Sequence, residues 1–145
     1  MKKTVLLFAA VAALLLSSCE KDGLNYTERQ IVGSWEYTKV KYTRDWSIDV
    51  QDVTADYTDL EIQFNPDFSA RFYDGRTGDT GTGLWELSQT SNGDDCSNVI
   101  YASFTDDETG ELSQVVFENA QIFRSTIRAN YRDSDGRFRY VMKKF

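Results

Sequence analysis

Histidine is absent from the 145-residue sequence, and its absence narrows the chemistry that this protein can perform. Histidine is the commonest general base at neutral pH, the usual partner of serine and cysteine nucleophiles, and a frequent ligand of transition metals. Paired carboxylates are the acid–base machinery that remains. With 23 acidic residues such a pair is unavoidable, so it indicates nothing specific. We therefore expect no enzyme, no cofactor and no metal, with a carboxylate-based hydrolase as a remote alternative.

Cysteine is nearly absent as well, since Cys19 and Cys96 are the only two in the chain. Two cysteines do not provide the disulfide framework of a small secreted domain. Cys96 follows a polar Asn-Gly-Asp-Asp segment, and we interpret it as incidental, with an intermolecular bridge or a reactive thiol as the alternatives. Cys19 has a different setting, because it directly follows the longest apolar stretch of the sequence.

This apolar stretch runs from Val5 to Leu16 and follows two lysines at the amino terminus. It is shorter than the about 20 residues that a membrane-spanning helix needs. A basic start before a short apolar segment is typical of a signal peptide. The stretch ends in Leu-Ser-Ser-Cys, which resembles the bacterial lipobox: a branched apolar residue, two small residues and a cysteine. The resemblance implies that residues 1–18 are removed and that Cys19 is acylated.

An acylated Cys19 would anchor the protein to a lipid bilayer of the cell envelope, with the outer membrane as the expected site. Two or three acyl chains give stable anchoring, because each buried methylene contributes about 0.8 kcal/mol. Residues 19–30 are polar, contain Gly23 and show neither a helical nor a strand period. We predict that they form a lipidated tether, followed by a single domain over residues 31–145.

The chain without its signal peptide is strongly acidic. The signal contains two of the 16 basic residues and none of the 23 acids, which leaves 14 basic residues and a net charge of −9. Nucleic acids and anionic membrane surfaces are bound by clustered Lys and Arg. The net charge therefore predicts no nucleic-acid partner and no adsorption to an anionic bilayer.

From Ile31 onward, short stretches rich in Val, Ile, Thr, Tyr and Phe alternate with turn residues, which is typical of an all-β protein. We predict an antiparallel up-and-down meander of about 8–10 strands that closes into a barrel, because closure removes exposed sheet edges. A two-sheet sandwich is the main alternative. The predicted strands are Val32–Tyr42, Trp46–Val53, Tyr57–Phe64, Phe68–Tyr73, Gly83–Gln89, Asn98–Phe104, Leu112–Phe117, Gln121–Asn130 and Arg137–Phe145.

An acidic segment, Asp-Ser-Asp-Gly at residues 133–136, precedes the last predicted strand. It resembles the middle of a calcium-binding loop, but the other ligands of such a loop are missing, and Arg132 and Arg137 flank it with positive charge. We therefore predict a hairpin turn here and no metal site.

A Gly-x-Trp-Glu signature occurs twice, at residues 33–36 and 83–86. In a strand, such a glycine permits a bend or the close approach of another backbone, and the tryptophan two residues later points toward the interior. The first copy resembles the opening strand of the lipocalin superfamily and of lipocalin-like domains in Bacteroidetes lipoproteins. The hairpin Ile62–Phe72, the second signature and the aromatic-basic end Arg139–Phe145 extend this resemblance, although Phe68 stands where glycine is usual.

The resemblance implies a lipocalin-like (calycin) barrel. It also implies that a basic residue near the last strand, Arg139 or Lys143, packs over Trp35. A barrel of this kind can bind a small apolar or amphipathic ligand in its mouth. The candidate pocket residues are Trp35, Tyr37, Phe64, Phe72, Trp85, Phe104 and Tyr140, although each of them can equally serve as core.

The alternative function is a protein- or glycan-interaction module of the cell envelope, with a filled barrel and no ligand. Tyr37, Tyr42, Trp46, Tyr57 and Tyr73 are its candidate surface platform. The sequence leaves the identity of any ligand and the oligomeric state open.

Overall fold

The computed structural model describes residues 24–92 and 95–145. The predicted signal peptide, residues 1–18, and the predicted acylation site, Cys19, lie outside the described residues. The elements are helix α1 (Tyr26–Ile31), strands β1 (Gly33–Arg44), β2 (Val50–Asp52), β3 (Leu60–Phe64), β4 (Ser69–Asp74), β5 (Thr80–Asn92), β6 (Asp95–Asp106), β7 (Leu112–Ile122), β8 (Thr126–Arg132) and β9 (Gly136–Lys144), and a 3₁₀ helix (Thr54–Tyr57).

The strands form one antiparallel sheet that closes on itself. Strands β1 and β3 to β9 pair in sequence order, and β9 pairs back onto β1. The short β2 adds to the end of β1 at residues 41–43. The predicted all-β barrel is confirmed, and its architecture is consistent with a lipocalin-like (calycin) barrel. The sandwich alternative is wrong, because the pairing of β1 with β9 joins the edges that two separate sheets would leave.

Three predicted strands differ from the observed ones by more than a shift of their ends. The stretch Trp46–Val53 contributes only Val50–Asp52, because Trp46 takes a positive φ of 65° that ends the extended chain. The stretch Tyr57–Phe64 begins in the 3₁₀ helix instead of a strand. The stretch Gln121–Asn130 is divided by a tight turn, in which the Phe123 amide donates to the Thr126 carbonyl at 2.8 Å. That turn contains neither Gly nor Pro, so its composition gave no signal.

Helix α1 occupies much of the segment that the sequence predicted as tether. Asn25 caps the helix by accepting from the Glu28 amide, and the Glu28 carboxylate accepts from the Asn25 amide. Leu24 and Ile31 are buried in the barrel core. A six-residue helix is too short to display a 3.6-residue period. No helix in the described part of the chain is long and apolar enough to cross a membrane.

The lower end of the barrel, where β1 begins and β9 ends, is closed by α1. The indole nitrogen of Trp35 donates to the Ile31 carbonyl at 2.7 Å. The ammonium of Lys144 lies 4.9 Å from the centre of the Trp35 ring and donates to the Gln30 and Val32 carbonyls. The predicted basic partner, Arg139 or Lys143, is therefore wrong. Both of those side chains are exposed on the outer face.

A second tryptophan, Trp85 on β5, packs against the β3–β4 turn at the same end of the barrel. Phe68 takes a positive φ of 64°, a conformation that glycine adopts more readily than other residues. Its ring lies 5.2 Å from that of Trp85. The indole nitrogen of Trp85 donates to the Asn65 carbonyl at 2.9 Å. The lower half of the barrel is consequently a packed core.

Candidate functional site

The upper half of the barrel is lined by aromatic rings instead of aliphatic core. The register of β1 against β9 shifts between Tyr37 and Lys39, so Tyr37 and Val40 both point inward. The Tyr37 ring lies 5.6 Å from that of Tyr140 and 6.4 Å from that of Phe117. This ring cluster forms the floor of the upper half.

The 3₁₀ helix brings one more tyrosine into the barrel. The Thr54 hydroxyl accepts from the Val40 amide at 2.9 Å and fixes the 3₁₀ helix against β1. The ring of Tyr57 then lies 5.3 Å from that of Tyr37 and 5.9 Å from that of Tyr140. Tyr57 therefore belongs to the ring cluster, although it comes from a connecting segment.

Two spaces lie above this floor. The inner cavity has a volume of about 210 Å³, and its inward side chains are Tyr37, Tyr57, Val115, Tyr131 and Tyr140. The barrel mouth has a volume of about 480 Å³ and is lined by Tyr42, Val53, Asp56, Tyr57, Leu60 and Phe138. Tyr57 lines both, so its side chain stands between the inner cavity and the mouth.

The inner cavity lies beside an incomplete seam between β7 and β8. These strands pair only from Glu118 to Ile122 on the β7 side, with a register shift where Asn119 takes a positive φ of 49°. Residues 112–117 pair with β6 but not with β8, and Tyr131 pairs only with β9. The wall of the barrel therefore lacks β7–β8 pairing where Val115 and Tyr131 line the inner cavity.

Burial keeps the phenol groups of the ring cluster protonated. Desolvation raises the pKa of Tyr37 and of Tyr140 well above the usual value, and neighbouring tyrosines raise it further. Burial also raises the pKa of Tyr57, to which Asp56 and Asp133 add. A protonated phenol can donate a hydrogen bond as well as accept one. The inner cavity therefore combines aromatic faces with hydroxyl donors.

The charged lining of these spaces is sparse. Asp56 is the one charged side chain among the residues that line the inner cavity and the mouth, and no Lys or Arg occurs among them. Within residues 24–92 and 95–145, no group of three or more acidic or cysteine side chains is placed to hold a metal ion. The turn at residues 133–136 is a hairpin, in which the Asp133 carboxylate accepts from the Asp135 and Gly136 amides.

The seven predicted pocket residues divide between the two halves of the barrel. Tyr37 and Tyr140 line the inner cavity. Trp35, Phe64, Trp85 and Phe104 are packed in the core, each at most 3% exposed. Phe72 is partly buried and its ring lies 5.9 Å from that of Phe104.

The sequence prediction missed Tyr131, Phe138 and Val115, and it assigned Tyr57 to a surface platform. The alternation Phe138-Arg139-Tyr140 was a usable signal, because it places Phe138 on the same face as Tyr140. Tyr57 had no such signal, since its strand prediction ran through the 3₁₀ helix. Of that predicted platform, Trp46 and Tyr73 are exposed, whereas Tyr37, Tyr42 and Tyr57 pack against other rings.

Comparison of the chain with protein-family models, with curated proteins and with solved structures finds no match.

Proposed function

We propose that this protein is a lipid-anchored barrel that binds a small amphipathic ligand through its upper end. The observation that carries the proposal is the pair of adjoining spaces, about 210 and 480 Å³, lined by tyrosines above a packed lower core. Binding sites for small molecules are concave, mostly apolar, and contain a few oriented polar groups. The upper half of the barrel has all three properties.

The lining defines the chemistry of the ligand. Flat or aliphatic groups fit between the rings of Tyr37, Tyr57 and Tyr140, and a carbonyl, ether or hydroxyl oxygen can accept from their phenols. A carboxylate or phosphate is disfavoured in the inner cavity, because no basic side chain lines it and burial of an unpaired charge is costly. The proposed ligand is therefore uncharged or weakly cationic.

The lipid anchor rests on the lipobox resemblance at Cys19. Leu24 is already buried in the barrel core, so residues 20–23 alone connect the described fold to the acylated cysteine. Fully extended, that connection spans about 18 Å. The proposed anchor would hold the barrel close to the bilayer.

The ligand proposal is tested on a chain of residues 20–145, which contains every described element and all the core residues of the described part of the chain. We expect it to bind the neutral probe N-phenylnaphthylamine with increased fluorescence. Native mass spectrometry of the same chain, purified from its host, should show a bound small molecule. Recovery of only unliganded protein, together with no probe binding, would contradict the proposal.

A matched pair of variants locates the binding. Val115→Phe fills the inner cavity and should weaken probe binding at least about tenfold, because losing the burial of about two methylene-sized groups, at about 0.8 kcal/mol each, already has that effect. Leu112→Phe makes a similar change on the same strand, at a side chain that is 75% exposed and lines neither space. The proposal fails if both variants bind the probe as the parent does. Circular dichroism checks that each remains folded.

The anchor is tested separately by Cys19→Ser. The parent chain should partition into the membrane fraction and lose residues 1–18, with Cys19 carrying a mass increase equal to its acyl chains. The variant should remain unprocessed and unacylated, because the thiol is the acyl acceptor. An unmodified Cys19 in the parent would contradict the anchor while leaving the ligand proposal intact.

An interaction module remains the alternative function, and one observation favours it. Trp46 and Ile48 are 105% and 95% exposed in the loop between β1 and β2. Exposed apolar side chains of this size on a loop tip are typical of contact surfaces.

A further inference from the structure

The charges of this acidic protein are separated onto different parts of the barrel. Strands β1, β8 and β9 are neighbours because the barrel closes, and Glu36 is their one acid. Their nine basic residues are Lys39, Lys41, Arg44, Arg128, Arg132, Arg137, Arg139, Lys143 and Lys144. Residues 45–125 hold most of the acids and only Arg71, Arg76 and Arg124 as bases.

Most of these basic side chains lie on the outer surface. Lys144 points inward onto Trp35, and Arg132 forms an ion pair with Asp45. The other seven make no ion pair within 4.0 Å in the described part of the chain. We call six of these seven the basic face, leaving out Arg44 at the end of β1: Lys39, Lys41, Arg128, Arg137, Arg139 and Lys143.

Like charges face each other at two points of the basic face, whereas Lys143 lies opposite Glu36. Lys41 lies directly opposite Arg139 across the β1–β9 ladder, and Arg137 lies opposite Arg132 across the β8–β9 ladder. Like charges directly opposite one another destabilise a sheet. An anionic partner would relieve this repulsion.

Exposed apolar side chains border the basic face at both ends. At the upper end, Trp46 lines a surface groove together with Arg137 and Arg139, and Ile48 lies beside it in the loop. At the lower end, Phe123 is 50% exposed and Phe145 is 64% exposed. The Arg128 guanidinium lies 5.9 Å from the centre of the Phe123 ring. Cations between exposed aromatic and aliphatic side chains match a lipid–water interface, where aromatic rings sit at headgroup level.

We propose that the basic face docks on an anionic lipid bilayer, with Trp46 and Ile48 entering the headgroup region. The net charge of −9 does not prevent this docking. Opposite walls of a barrel are at least about 10 Å apart, and charges are screened beyond about 8 Å at physiological ionic strength. The bilayer therefore meets mainly the field of the nearer, basic wall.

The docking does not depend on the acyl anchor or on the ligand pocket, so it is tested with residues 20–145 lacking the lipid. This chain should float with vesicles of equal parts phosphatidylglycerol and phosphatidylcholine, and not with vesicles of phosphatidylcholine alone. Trp46 is the one exposed tryptophan of the three in the chain. Its fluorescence should shift to shorter wavelength on binding, and added salt should reverse the shift.

Two charge-matched variants separate the basic face from net charge. Arg137→Gln with Arg139→Gln should weaken binding to the anionic vesicles about thirtyfold. Arg29→Gln with Arg71→Gln removes the same charge at exposed positions elsewhere and should leave binding within about threefold of the parent. Equal losses in the two variants would overturn the proposal, as would a parent chain that ignores anionic vesicles.

A second copy of the chain is the competing occupant, because the acidic wall of one barrel complements the basic face of another. Analytical ultracentrifugation without lipid distinguishes the two. A monomer at low salt supports bilayer docking. Salt-sensitive oligomers that disappear in Arg137→Gln with Arg139→Gln would assign the basic face to self-association and overturn the bilayer proposal.

Discussion

Replacing Gly83 with alanine is expected to lower the free energy of unfolding by about 4 kcal/mol or more. A Cβ at this position would overlap the backbone carbonyl oxygen of Ser103 and lie 2.7 Å from its carbonyl carbon. Both atoms belong to the paired strand β6, which cannot move aside like the end of a flexible side chain. The β5–β6 ladder would have to separate where Gly83 pairs with Phe104.

Gly81→Ala is the matched control for this prediction. Gly81 lies on the same strand and the same face, but an added Cβ would come no nearer than 3.1 Å, to the Thr105 carbonyl oxygen. We expect this change to lower the free energy of unfolding by only about 1 kcal/mol. Urea unfolding followed by circular dichroism measures both variants. Similar losses for the two glycines would show that close approach of β6 is not the reason for Gly83.

The second Gly-x-Trp signature was therefore interpreted correctly from sequence. A glycine two residues before an inward tryptophan indicated either a bend or the close approach of another backbone, and Gly83 meets β6 in the second way. The first signature uses its glycine differently. Gly33 takes a φ of 138°, which other residues rarely adopt, at the point where the chain leaves α1 for β1.

The barrel itself was predictable because alternation of apolar and polar residues is a local property of each strand. The Trp35 partner was not predicted correctly, although Tyr140, Met142 and Lys144 alternate on one face. Choosing among neighbouring basic residues requires knowing which alternate positions face inward, and a one-residue error exchanges the two faces.

The candidate site was predictable only in part. Tyr37 and Tyr140 were found because they lie on strands with clear alternation. Tyr57 enters the barrel from a 3₁₀ helix, and its position depends on the hydrogen bond between Thr54 and Val40, which no local period indicates.

The basic face was hidden for a related reason. Its residues come from β1 near one end of the domain and from β8 and β9 near the other, and they become neighbours only when the barrel closes. The net charge is a sum over the whole chain, so it does not show that the basic side chains lie together on one wall of the barrel. It therefore predicted no attraction to an anionic bilayer, although the structure clusters basic side chains on one wall.

Replacing Trp35 with alanine is expected to lower the free energy of unfolding by about 3–5 kcal/mol. The side chain is 0% exposed, so its removal leaves a cavity between α1 and the lower core. The change also deletes the hydrogen bond to the Ile31 carbonyl and the ring beneath the Lys144 ammonium. These contacts join α1 to both β1 and β9, so α1 should detach before the rest of the barrel unfolds.

The other tryptophans and one smaller change provide the controls. Trp46→Ala removes the same atoms from a side chain that is 105% exposed and should change the free energy of unfolding by less than about 0.5 kcal/mol. Trp35→Phe keeps an aromatic ring but loses the indole N–H. Its decrease in the free energy of unfolding should therefore fall between those of Trp35→Ala and Trp46→Ala. Hydrogen exchange at the amides of Arg29 and Val32, which donate to carbonyls of the first helical turn, reports the detachment of α1. Unchanged protection of these amides in Trp35→Ala would contradict the role assigned to Trp35, because the indole would then not be what holds α1 on the barrel.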